Sequence, residues 1–152
     1  MIVKTHKGCI IELFKNHKFS GNVAIAHGCN CQISMAAGIA RAISKEFPQA
    51  VVADKSTGKG DARKLGTYSM WYAKTASGLS VGLNLYTQYW CGNDASLDAI
   101  REVFKAVNDG LYGVRYLLIP KIGCGIGGLD WADVSRVINE VTPDIEIIVG
   151  EL

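Results

Sequence analysis

Val114-Arg115-Tyr116-Leu117-Leu118-Ile119-Pro120-Lys121-Ile122-Gly123-Cys124-Gly125-Ile126-Gly127-Gly128-Leu129-Asp130-Trp131 contains the change of pattern that decides the fold. An apolar run reads as a buried strand, and four glycines then occupy a short loop. Asp130 to Val141 follows with helical spacing, and Ile145-Glu146-Ile147-Ile148-Val149 reads as a last strand. Strand, small-residue loop, helix and strand in this order are the repeating unit of an α/β sheet.

The same unit occurs upstream. Asn22-Val23-Ala24-Ile25-Ala26-His27 is a compact strand-like run ended by Gly28-Cys29-Asn30-Cys31-Gln32, and from Ser34 the residues Ile39, Ala40, Ile43 and Phe47 share one helical face, with Pro48 as the stop. Between the two units, Thr67 to Ala73 and Leu79 to Tyr86 flank Ser77-Gly78 and read as antiparallel strands. Ser96 to Asn108 reads as a helix with Leu97, Ile100, Val103, Phe104 and Val107 inward, closed by Gly110. At the front, Ile2-Val3-Lys4 and Cys9 to Phe14 read as a short strand and the turn leaving it. The expectation is one domain over residues 1–152, with three layers and a mixed, mainly parallel sheet.

With 152 residues, 20% charged residues and a formal net charge of +2, the chain lacks the clustered basic surface of a nucleic-acid binder. No apolar run approaches a membrane span, and the N-terminal residues lack the apolar core of a signal peptide. Five cysteines in an odd, unpatterned set point to reduced thiols. The expectation from the whole is a cytoplasmic monomer without nucleic-acid or membrane partners.

In open α/β sheets ligands lie beyond the carboxyl ends of the strands, which makes the two small-residue loops the candidate site. The later loop suits a phosphate or diphosphate, because glycines let backbone N–H groups approach oxygens and the loop feeds a helix N-terminus. Gly123, Gly125 and Gly128 also satisfy G-x-G-x-x-G, but too little chain follows for a dinucleotide-binding fold that opens on that motif. A plain tight turn is the other reading of these glycines. In the earlier loop His27 is a candidate for proton transfer, or else a histidine that pins the loop, and Asn30 is a candidate for bonding a ribose hydroxyl. His27, Cys29 and Cys31 lack the paired spacing of a metal site, so no metal and no cofactor are expected. Lys59 in Ser56-Thr57-Gly58-Lys59-Gly60 lacks the spacing of a phosphate-binding loop and reads as surface.

Together the two loops resemble the macrodomain family of ADP-ribose-binding proteins, from end to end of the chain. Lys7-Gly8-Cys9-Ile10-Ile11 lies where that family carries a Gly-Asp or Gly-Asn turn. His27-x-x-Asn30-Cys31-Gln32 with Ala37-Gly38-Ile39-Ala40 is similar to its first ligand loop, Asn84 to Gln88 to the strand between, and Ile119 to Ile126 to the second loop. The His-x-x-Asn-Cys form is most similar to the branch of ADP-ribose-1″-phosphate phosphatases, small phage-encoded proteins among them. A related branch that removes ADP-ribose from proteins places a catalytic aspartate where this chain has Gly127 and a lysine near Gln88.

The resemblance implies a three-layer α/β/α macrodomain fold, with ADP-ribose or ADP-ribose 1″-phosphate as ligand and phosphate-ester hydrolysis as the leading activity. A non-catalytic reader, or a hydrolase acting on modified proteins, is the alternative. It puts Cys9 and Ile10 near the adenine, where the Cys9 thiol is a poor acceptor, and Leu152 close to the ligand. Asn30, Gln32, Ala37, Gly38 and Ile39 fall around the distal ribose, and Gly123, Cys124, Gly125, Ile126 and Gly127 around the diphosphate. His27 is the candidate acid or base. Asp130 either orients water or begins the helix as its N-cap.

Overall fold

The structure, a computed structural model, describes residues 1–110 and 113–152. In chain order it comprises β1 (Ile2–Lys7), α1 (Ile10–Asn16), β2 (Asn22–Asn30), α2 (Gly38–Glu46), α3 (Pro48–Lys55), a 3-10 turn (Ala62–Lys64), β3 (Tyr68–Thr75), β4 (Gly78–Gln88), α4 (Leu97–Gly110), β5 (Val114–Ile119), α5 (Trp131–Val141) and β6 (Glu146–Glu151). The sheet order is β1-β6-β5-β2-β4-β3. Every neighbouring pair is parallel except β3 with β4, which the Ser77-Gly78 turn joins.

The inner strands β2, β4, β5 and β6 are largely apolar on both faces because both are covered. Ala24, Ala26, Leu117, Ile119, Ile147 and Val149 pack with Ile100, Phe104, Val134 and Ile138 from α4 and α5. Val23, Ile25, Leu118 and Ile148 pack with Ile10, Phe14, Ile43 and Ala50 from α1, α2 and α3. This is the expected three-layer α/β/α arrangement. The inward stripe of α4 is fully buried at Ile100, Val103, Phe104 and Val107, each side chain contributing roughly 1.5–3 kcal/mol by leaving water.

Two elements differ from the sequence reading. Cys9 to Phe14, read as a turn after the first strand, contains the start of helix α1. Gly8 at φ 134 breaks the strand, and Ile10, Ile11 and Phe14 then share one buried helical face. Pro48, read as a stop, does end α2 but also opens α3 at its first position, where a missing N–H costs nothing. Among the described residues no helix is long and apolar enough to cross a membrane.

The period of two along β2 fixes what the site receives. Even positions face the α4–α5 layer and odd positions the α1–α3 layer, so His27 follows Val23 and Ile25 under α3, while Gly28 lies against Thr87 and Ile122.

Candidate ligand-binding site

Beyond the carboxyl ends of β2, β4 and β5 lies a cavity of about 350 Å³. One wall is the loop after β2 together with the first turn of α2, Ala36 to Ala40. The opposite wall is the loop after β5, and Thr87, Gln88, Cys91 and Gly92 form the floor and one rim.

The glycines of the second wall have separate tasks. Gly123 and Gly128 stand at φ 76 and 85, where a side chain is strained. A Cβ on Gly127 would lie 2.7 Å from the Gly123 carbonyl oxygen, but one on Gly125 would meet nothing within 4 Å. Cys124 N–H, Gly128 N–H and Leu129 N–H close the loop on the carbonyls of Lys121, Gly125 and Gly123. Among the described residues the N–H groups of Gly125, Ile126 and Gly127 have no partner in the protein. Consecutive free N–H groups of this kind form an anion-binding concavity.

On the first wall the N-cap of α2 is Ala37, with no side-chain cap bond, so the N–H groups of Gly38, Ile39 and Ala40 are the orphan donors of a helix start. Its positive end favours an anion. The sequence pointed to the other helix for this role. Asp130 instead caps α5 by accepting from the Ala132 N–H at 3.0 Å, and the N-terminus of α5 is not part of the cavity lining.

Asn30 lines the cavity, with its amide engaged in the loop: Nδ2 donates to the Ser34 carbonyl at 2.9 Å, and Oδ1 accepts from the Gln32 N–H at 2.9 Å. These bonds hold a loop in which Ile33 stands at φ 56, a costly conformation for a β-branched residue. Gln32 points elsewhere, donating to the Tyr89 carbonyl.

Of the residues expected around the ligand, Asn30, Ala37, Gly38, Ile39, Gly123, Gly125, Ile126 and Gly127 line this cavity. Gln32, Cys124, Cys9, Ile10 and Leu152 do not. Cys124 packs toward the core, and its thiol donates to the Ile122 carbonyl. Ile10 is buried against Gly150, Cys9 is exposed at the N-cap of α1, and Leu152 is fully exposed. The reading missed Ser34, Thr87, Cys91 and Lys121. Among the described residues Lys121 is the sole charged side chain in the lining, and its place directly after Pro120 at a strand end was the available signal.

Neither expected catalytic side chain reaches the cavity. Asp130 caps α5 through Oδ1 and lies outside the cavity lining. His27 has no exposed surface, and its Nε2–H donates to Asn84 Oδ1 at 2.8 Å. That oxygen also accepts from Trp71 Nε1–H at 3.1 Å, which makes the acceptor role of the amide oxygen secure. Burial pushes the imidazole pKa down to about 4, only partly opposed by the Asn84 bond, so the ring is neutral near pH 7 and structural.

This has a measurable consequence. Between pH 6.5 and 4 the unfolded chain binds a proton at this ring that the folded chain refuses, so stability falls as pH drops through that window. The shift corresponds to about 3 kcal/mol when complete. In urea titrations of wild type and His27→Gln, the stability gap measured at pH 7 is expected to shrink by about 2 to 3 kcal/mol at pH 4.5. Parallel pH profiles for the two proteins would show that His27 titrates normally.

Free backbone donors on two facing walls, with one lysine between, define an α/β/α domain suited to a small anionic ligand. The chain belongs to the Macro domain family, whose model matches residues 26–138. It is 34% identical over 155 residues to the uncharacterised 17.5 kDa protein of the tk–vs intergenic region of Enterobacteria phage T4, covering 98% of this chain and 96% of the relative. Among solved structures it is similar to the macrodomain of Thermus aquaticus DarG, with TM-score 0.76, 20% identity, and 100% and 99% of the two chains covered. Thermosipho africanus DarTG in complex with ADP-ribose matches over 85% of this chain and 38% of its own, with TM-score 0.69 and 18% identity.

Proposed function

We propose that this chain binds ADP-ribose as a cytoplasmic monomer, with the diphosphate on the Gly125–Gly127 amides and the distal ribose toward Asn30 and the first turn of α2. The carrying observation is the two sets of unpartnered backbone N–H groups on opposite walls of one cavity. Fixed backbone donors pay no reorganisation when an oxyanion arrives, and Lys121 adds a cation. The complex of the related DarTG protein with ADP-ribose supports the choice of ligand.

The site favours recognition over turnover. Among the described residues its lining contains no histidine and no carboxylate, the side chains that most often serve as general acid or base; its ionisable side chains are Lys121 and the thiols of Cys29 and Cys91. Gly127 and Gln88, both in the lining, replace the aspartate and lysine of the branch that acts on modified proteins. Hydrolysis of ADP-ribose 1″-phosphate is the second reading. It draws support from the same amides, since phosphoryl transfer depends mainly on positioning and charge stabilisation.

Calorimetric titration with ADP-ribose, followed by phosphate release from ADP-ribose 1″-phosphate, separates the readings. One-to-one binding with no release above the buffer rate is expected. Release that disappears in a cavity-blocking variant would establish the phosphatase, and absence of binding would reject the ligand.

A further inference from the structure

The row of strand ends continues past the cavity. β5, β6 and β1 are parallel neighbours, so Gly150–Leu152 and Lys7–Cys9 extend the edge begun by Pro120–Gly127. On the other side β3 is antiparallel to β4 and brings no carboxyl end to this edge. A ligand that overfills the cavity therefore continues over β6 and β1.

Glu151 is the one side-chain carboxylate on that ledge. Its carbonyl accepts from the Gly8 N–H at 2.8 Å, which fixes its backbone beside the turn into α1. Its Oε1 accepts from Lys121 Nζ at 2.7 Å, tying it to the single charged residue of the cavity lining. Lys121 holds the Glu151 carboxyl below its ordinary pKa, chiefly through this hydrogen bond. Among the described residues Oε2 has no hydrogen-bond partner. The pair is half-exposed, at 37% and 43% of side-chain area, so either group meets an incoming ligand. The ammonium has donors to spare for phosphate oxygens, and an ionised carboxylate only accepts. Cys9, also on the ledge, offers a weak thiol.

We propose that Glu151 and Lys121 form a base-reading pair, in which Lys121 contacts the diphosphate and Glu151 accepts a hydrogen bond from the exocyclic amino group of the nucleobase. The pair thereby selects a 6-aminopurine over a 6-oxopurine. This rests on the ADP-ribose reading above. A carboxylate facing a 6-oxo group meets a second acceptor and no donor, so the wrong base leaves both groups unpaired.

The test is calorimetry with ADP-ribose and its hypoxanthine counterpart, inosine diphosphate ribose, on wild type, Glu151→Gln and Lys121→Met. Wild type is expected to prefer the adenine ligand at least tenfold. Glu151→Gln, whose amide both donates and accepts, brings the ratio to within about twofold. Lys121→Met weakens both ligands alike and leaves the ratio in place. If Glu151 only anchors Lys121, its substitution moves both affinities together at constant ratio, and the proposal fails. If wild type binds neither ligand, the ADP-ribose reading itself falls. If it binds both equally, only the base-reading pair is overturned.

Discussion

Gly125→Glu is expected to weaken ADP-ribose binding by at least 100-fold while leaving the fold intact. The four glycines of the second loop would suggest that any substitution is ruinous, but the positions differ. Gly123 and Gly128 hold left-handed backbone, and Gly127 is enclosed by the Gly123 carbonyl and the Ala95 side chain. At Gly125 the backbone is ordinary, and a Cβ meets open space. The space that glycine keeps free there is the ligand's. A glutamate side chain fills it and sets a negative charge against the diphosphate, and 100-fold corresponds to about 2.7 kcal/mol. Thermal unfolding should shift by no more than about 2 °C, as for an exposed loop substitution. Retained binding in a folded variant would place the diphosphate elsewhere.

Asn84→Ala is expected to give the largest loss of stability, on the order of 3 to 5 kcal/mol. The Asn84 side chain is fully buried between β2, β3 and α3. It accepts from His27 and Trp71, and donates to the Ala50 carbonyl at 3.0 Å and to Ser69 Oγ at 3.0 Å. Truncation orphans an imidazole N–H and an indole N–H in the interior, each costing about 1–3 kcal/mol, and removes the second donor from the Ala50 carbonyl, which keeps its place in the α3 ladder. Ser69 keeps a partner in the Tyr86 hydroxyl. Against a typical domain stability of about 5–15 kcal/mol this is severe, and for a chain of this length the melting temperature should fall by roughly 10 °C or more. A drop of 2 °C or less would mean that the network relaxes or hydrates at little cost.

The layer architecture was legible because it rests on patterns that survive without tertiary information. The helical stripe of α4, the proline-ended run of β5 and the Ser77-Gly78 turn each name their element, and the small residues of both loops mark the cavity walls. The side that His27 faces was not legible. Residues 23 to 26 are apolar at every position, as befits a strand covered on both faces, so no alternation tells which parity looks toward the cavity. Only the pairing of His27 with Asn84 across β2 and β4, under the Ala50 carbonyl of α3, settles it.

Asp130 shows a similar ambiguity. An aspartate before a helix serves a substrate or the helix itself, and the Ala132 N–H decides for the helix. The start of α1 was hidden because Ile10 and Ile11 have strand propensity, and the positive φ of Gly8 overrides it. Pro48 carried a signal for both a stop and a start, and the α3 residues that follow lack a clear apolar stripe, which left its second role unread.

The central claim is that the two small-residue loops bind one anionic ligand together. Backbone amide chemical shifts, followed by NMR during titration with ADP-ribose, test it most directly. The largest changes should fall on Gly125, Ile126 and Gly127 and on Gly38, Ile39 and Ala40, saturating together at one equivalent. Saturable changes confined to other faces of the domain, or changes in one loop without the other, would contradict it.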